Sequence, residues 1–289
     1  EKRKGSKKMK KNAFLNLADW QKKIIAKNFK ASEVYFIDNP EKDFKSLTAK
    51  HFEVLSVFVD FQVTKQVLQN LPALRFITTR STGFDHIDLE ECKKRKILVS
   101  SVPSYGSNTV AEFAFGLILN LTRKIYQAIA QIKQSGSFTL DNLKGLDLAG
   151  KTLGVVGGGH IGQNVIKIAK GFGMNVVVFT PHPQKNLEKK LRFRYCSLNE
   201  LLKISNIISI HCPYNQSTHH LINKKNIRLV KKGAYLINTA RGGIVSTDAL
   251  LWGLQKGILA GAGLDVLEEE TETRDEMSLL HMPEKRPEK

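Results

Sequence analysis

The chain has 289 residues, 42% of them hydrophobic, and a formal charge of +18. That length suits two domains of ordinary size, and no run of about 18 apolar residues is present to span a bilayer. Three widely separated cysteines, Cys92, Cys196 and Cys212, form no CxxC pair, which argues for a reducing cytoplasm and against a disulfide framework or a zinc site. The first eleven residues hold seven Lys or Arg against one Glu, +6 of the total, and the remaining +12 is dispersed apart from some clustering in 185–194. Solvated lysine faces explain that spread better than a nucleic-acid stripe does. Met9 stands just before the first apolar run, so residues 1–8 read as a basic upstream extension. Nucleic-acid binding through that leader is the lesser reading; it predicts affinity that falls with salt and is lost with residues 1–8.

In chain order, a first strand begins near residue 13, and Trp20, Ile24, Ile25 and Phe29 fall on one helical face. Residues 34–37 and 54–59 read as strands, 63–71 as a helix ended by Pro72, and 75–79 and 97–99 as strands. Between the last two lies a polar loop, residues 80–88, that enters a short helix. Alternating strands and helices imply parallel βαβ units, so residues 9–103 make one small α/β domain. The turn-rich stretch 102–109 marks the boundary. Beyond it, 110–132 reads as one long, buried helix.

A second α/β series, in the domain 104–289, opens at Lys151. Its strand 152–156 runs into Gly157-x-Gly159-x-x-Gly162, with a helical pattern after it. In such a turn the first glycine allows the tight bend, the second admits a pyrophosphate close to the backbone, and the third lets helix and strand pack. The free N–H groups and dipole of the new helix favour an anion there. Strands follow at 175–179, 206–210, 234–237 and 258–264, with Ser197 capping a helix through Leu202 and Thr247 capping 248–255, which Gly257 ends. The later strands deliver His211, Asn238, Arg241 and Asp265, with Glu270 just beyond, to the edge where open α/β sheets bind ligands. Singly, the arginine reads as a surface ion pair and the histidine as a packed core group. Together with the glycine turn they point to an active site.

Residues 80–88, 102–112, 157–162, His211-Cys212-Pro213, 238–245 and 261–270 together resemble the D-isomer-specific 2-hydroxyacid dehydrogenases, especially the D-lactate dehydrogenase branch, over residues 9 to about 283. The resemblance implies a flavodoxin-like substrate domain with an inserted Rossmann doubly wound domain, a site in the cleft, and homodimers paired through the inserted domain. It implies that Arg241 holds the carboxylate and carbonyl oxygen of a small 2-oxo acid, as a planar guanidinium can. The N–H groups of Thr82 and Gly83 receive the same carboxylate, and Tyr105 lines the pocket. Glu270 raises the pKa of a catalytic histidine that donates a proton as hydride reaches the 2-oxo carbon. Cofactor contacts fall on Gly157, Gly159, His160, Ile161, Gly162, Thr180, His211, Cys212, Pro213, Thr239, Ala240 and Asp265. No metal is implied.

Two departures stand out. An acidic residue is expected about 20 positions beyond the glycines to bind the ribose 2′-OH, but Thr180 occupies that place, and His182 or Lys185 suits a 2′-phosphate. NAD is favoured, with NADP open. The family's catalytic histidine also follows in a Pro-His pair, which residues 279–283 approach without reaching; His281 has the wrong context. The chain therefore reads as truncated, with cofactor binding expected and turnover in question. Pyruvate/D-lactate is the leading substrate pair, on Tyr105 beside Gly106. A non-catalytic dinucleotide-binding or scaffold protein of the same fold is the alternative.

Overall fold

A computed structural model describes residues 11–29, 33–40, 42, 51–136, 139–140 and 142–268. The basic extension 1–8, Glu270, His281 and the chain end lie outside them. The chain divides into two compact units, Glu1–Tyr105 and Gly106–Lys289.

Among the described residues, the first unit is built on five parallel strands: β1 (Lys11–Leu15), β2 (Glu33–Ile37), β3 (Val54–Val57), β4 (Phe76–Thr79) and β5 (Leu98–Ser100). Their order, β2-β1-β3-β4-β5, is that of the flavodoxin-like doubly wound sheet. Leu15, Leu55, Val57 and Ile77 fill its core with Phe52, Leu68 and Cys92 from the flanking segments. Parallel sheets joined by helical crossovers are covered on both faces. Helices α1 (Asp19–Asn28), α2 (Lys65–Gln69) and α3 (Leu89–Lys94) connect them. Asp88 caps α3, with glutamates in the first turn and lysines in the last to suit its dipole.

Helix α2 is shorter than the pattern at 63–71 suggests, because Val63 is used elsewhere. Its N–H donates to the His86 carbonyl, and its own carbonyl accepts from Asp88. The expected apolar face of α1 is not an inward face: Trp20 and Ile24 are 64% and 54% exposed. Lys22, by contrast, turns back to Asp38.

Among the described residues, the second unit carries six parallel strands: β6 (Thr152–Val156), β7 (Asn175–Phe179), β8 (Arg194–Tyr195), β9 (Ile207–Ile210), β10 (Ala234–Asn238) and β11 (Leu259–Leu264). Read from one edge the order is β11-β10-β9-β6-β7-β8, the Rossmann order, with its topological switch between β6 and β9. Helices α4 (Ser107–Thr122), α5 (Ile125–Ser135), α6 (His160–Gly171), α7 (Lys185–Leu191), α8 (Leu198–Ile204) and α9 (Thr247–Gln255) complete it. Ala111, Ala114, Phe115 and Ile118 of α4 are buried with Val155, Val165 and Ile237.

The single helix expected over 110–132 is two helices. Lys124 is left-handed (φ 56°), and the Thr122 carbonyl accepts from the Leu146 N–H at 2.8 Å instead of continuing the helix. The long-helix expectation missed this because no Gly or Pro marks the break. Nor does Thr247 cap α9. Ser246 is the N-cap and makes no side-chain cap bond, while the Thr247 N–H donates to the Glu268 carboxylate at 2.7 Å. Helix α7 and strand β8, short and charged, were not anticipated.

Candidate active site

The turn between β6 and α6 shows why two of its three positions must be glycine. Gly157 has φ +108°, and a Cβ there would stand 2.6 Å from the Cys212 nitrogen and the His211 carbonyl carbon. At Gly162 a Cβ would stand 2.0 Å from the Gly157 oxygen. Gly159 is different, since nothing lies within 4 Å of the place a Cβ would take. It is the N-cap of α6 and offers no side-chain acceptor, and no acidic residue sits in the first turn. The N–H groups of His160, Ile161 and Gly162 have no intrahelical acceptor. The cradle therefore fits a nucleotide diphosphate.

At the end of β7, Thr180 packs about the Gly158 turn, and its hydroxyl accepts from the His182 N–H at 3.4 Å. No carboxylate stands there; His182 and Lys185 are exposed just beyond.

Strand β9 delivers His211, whose N–H donates to the Val156 carbonyl. Its Nε2 lies 2.7 Å from the Ser209 hydroxyl and its Nδ1 3.5 Å from that of Thr239. Burial pushes its pKa down to about 3, so the ring is neutral at physiological pH and is no proton donor there. Burial likewise pushes the Cys212 thiol up to about 11, which leaves it protonated and unreactive. Pro213 follows, exposed.

Strand β10 delivers the Arg241 turn. Asn238, buried, donates through Nδ2 to the Arg241 carbonyl at 3.0 Å and accepts the Ala240 N–H at 3.1 Å. Arg241 also bonds the Ala240 carbonyl. Asp265 at the end of β11 donates its N–H to the Asn238 carbonyl, so Thr239, Ala240, Arg241 and Asp265 share one strand-end edge. The sequence reading missed how this edge is fastened. Glu268 accepts from the Thr247 N–H and pairs with His220 Nε2. Burial works against ionisation of Glu268, but the Thr247 and His220 bonds outweigh it and hold the carboxyl below the usual carboxylate range. His220 stacks on His219 at 3.9 Å, and His219 Nδ1 is 3.0 Å from the Tyr214 hydroxyl. A Cβ on Gly242 would stand 1.9 Å from the Leu267 oxygen, and one on Gly243 2.9 Å from the Tyr214 ring. No local pattern announces these long-range contacts.

Thr82, Gly83 and Tyr105 belong to the first unit. The Thr82 hydroxyl donates to the Val102 carbonyl at 3.0 Å, and Arg80 beside it is tied to the Leu15 carbonyl and the Ser56 hydroxyl. Tyr105 is exposed. Among the described residues no cluster of three or more His, Cys, Asp or Glu side chains is placed to hold a metal ion. No helix among them is long and apolar enough to cross a membrane.

Comparison with known proteins follows the same lines. The model of the D-isomer specific 2-hydroxyacid dehydrogenase NAD binding domain matches residues 115–285. A 2-hydroxyacid dehydrogenase homolog of Zymomonas mobilis is 41% identical over 225 residues, 77% of this chain and 68% of that protein. A glyoxylate reductase of Thermococcus litoralis is 39% identical over 238 residues, 80% of this chain and 72% of that one. Among solved structures, the Aquifex aeolicus D-lactate dehydrogenase complexed with NAD and lactic acid superposes with a TM-score of 0.84 at 37% identity, covering 93% of this chain and 79% of the other.

Proposed function

This chain belongs to the D-isomer-specific 2-hydroxyacid dehydrogenase family, and from that premise we propose that it interconverts a small 2-oxo acid and its D-2-hydroxy acid, pyruvate and D-lactate first among them, with NAD. The observation that carries the reading is the Gly157–Gly162 cradle, open at Gly159, on the same strand-end edge that bears Arg241 and Asp265.

NAD, when bound, would supply or take the hydride. The first-turn N–H groups of α6 hold the diphosphate, and Asp265 orients the carboxamide. Arg241 binds the acid's carboxylate and carbonyl oxygen as a planar fork, polarising the carbonyl that accepts hydride. By family resemblance the N–H groups of Thr82 and Gly83 would take the same carboxylate and Tyr105 would line the pocket. Neutral His211 stays a hydrogen-bonded support for the cofactor edge. By family resemblance the proton belongs to a histidine paired with Glu270, outside the described residues.

NAD is preferred over NADP on the kinship with NAD-binding domains. Thr180 removes the carboxylate that rejects a 2′-phosphate, so titration with NADH and NADPH is the test, and tighter NADPH binding would reverse the preference. We also propose a homodimer through the second unit, supported by the exposed apolar stripe Ile125, Tyr126, Ile129 and Ile132 on α5. Following NADH absorbance with pyruvate, glyoxylate and hydroxypyruvate tests the substrate. A higher kcat/KM for glyoxylate would move the assignment toward the activity named for the Thermococcus relative.

A further inference from the structure

The loop that carries Thr82 and Gly83 contains a buried hydrogen-bonded chain to which the proposed reaction gives no role. Thr79, Ser81 and His86 are 0%, 4% and 6% exposed, while Thr82 between them faces solvent. The Ser81 hydroxyl donates to the Gly83 carbonyl at 2.7 Å. A carbonyl only accepts, so the Ser81 proton is committed there. Ser81 Oγ must then accept at its other contact, 2.6 Å from Thr79 Oγ1, and Thr79 is the donor. With its own proton spent, Thr79 accepts from His86 Nε2 at 3.2 Å. One direction threads all three contacts: His86 Nε2–H to Thr79, Thr79 to Ser81, Ser81 to the Gly83 carbonyl. It requires the imidazole to carry its proton on Nε2.

Two bonds fix the peptide planes on either side of the Thr82–Gly83 peptide, and only the second belongs to the relay. The Ser81 carbonyl accepts from the Val102 N–H at 3.0 Å, which sets the plane that bears the Thr82 N–H. The Gly83 carbonyl is set by Ser81. The donor end is anchored in turn, since the His86 carbonyl accepts the Val63 N–H at 2.8 Å.

We propose that His86 is a positioning residue for substrate: acting through Thr79 and Ser81, it fixes the Gly83 carbonyl and, together with the Val102 bond to Ser81, holds the turn that presents the Thr82 and Gly83 N–H groups to the carboxylate of a 2-oxo acid. The inference rests on assigning those two N–H groups to the carboxylate and adds the residues that aim them. Preorganised donors bind an anion without first ordering themselves, so loss of the relay falls on acid binding and leaves the dinucleotide site intact.

The test uses oxamate, a pyruvate isostere that is not reduced, titrated into the full chain saturated with NADH. Thr79→Val and His86→Leu keep the shape and remove the relay. Each should weaken oxamate about tenfold, the size of one lost hydrogen bond, with NADH affinity unchanged. Thr79→Ser and His86→Gln, which restore a hydroxyl and a donor, should recover most of the loss, a pattern that mere destabilisation does not produce. If either apolar variant fails to fold, Ser81→Ala carries the same expectation. Oxamate affinity unchanged in a folded Thr79→Val or Ser81→Ala protein would overturn the relay and leave the proposed function standing. Failure of the unmodified protein with NADH to bind oxamate at all would overturn both.

Discussion

Replacing Gly159 by alanine separates the anion-binding role of the β6–α6 turn from its structural role. The new methyl meets no protein atom within 4 Å, and the backbone at 159 (φ −72°, ψ −167°) is open to any residue. The structural penalty is confined to a poorer N-cap, under about 1 kcal/mol, a fall of roughly 2–4 °C in Tm for a unit of this size. If a diphosphate lies against this turn, the methyl occupies its approach and costs at least one charge-assisted bond, about 1.5–3 kcal/mol. NADH should then bind about tenfold to a hundredfold more weakly. Gly162→Ala is the contrast, since its methyl would sit 2.0 Å from a backbone oxygen and should cost about 1–3 kcal/mol of stability. NADH fluorescence titration beside thermal unfolding reads both effects. A folded Gly159→Ala protein that binds NADH within about twofold of the parent would refute a diphosphate at this turn, since it would retain the bond worth about tenfold.

Three further outcomes are expected. His211 is held neutral, with its pKa down at about 3 against 6.5 unfolded. Its contribution to stability is therefore complete above pH 6.5 and is lost as pH falls toward 3, by at most about 1.4 kcal/mol per pH unit. His211→Asn should flatten the pH dependence of the urea midpoint below pH 6.5, and equal slopes would exclude His211 as its source. Arg241→Lys should raise KM for pyruvate by about tenfold or more with NADH affinity preserved, because an ammonium cannot present two parallel donors; an unchanged KM would remove Arg241 from the carboxylate. Ile129→Lys should shift sedimentation to a single-chain species, whereas a monomeric parent protein would dispose of the dimer.

Much of the scaffold was legible because its causes are local. The apolar strands β9 and β11 run into His211 and Asp265 and β10 ends in Asn238, while Gly157 and Gly162 stand where any side chain would strike backbone. What escaped is set by contacts distant in sequence. Nothing in Thr122-Arg123-Lys124 forbids a helix; the break comes from Leu146 taking the Thr122 carbonyl. Thr247 looks like an N-cap by residue type, yet Glu268 supplies the acceptor from beyond β11. Likewise 80–88 reads only as a polar loop until the burial of Thr79, Ser81 and His86 shows which way its protons run.

The double use of the Glu268 carboxylate has a consequence for how such a scaffold diversifies. It secures the start of α9 and the ring of His220 at once, while the His220 N–H holds the Gly243 carbonyl just past Arg241. Substitutions at Tyr214, His219 or His220 therefore repack the Gly242-Gly243 turn that follows Arg241, without touching a residue assigned to the acid.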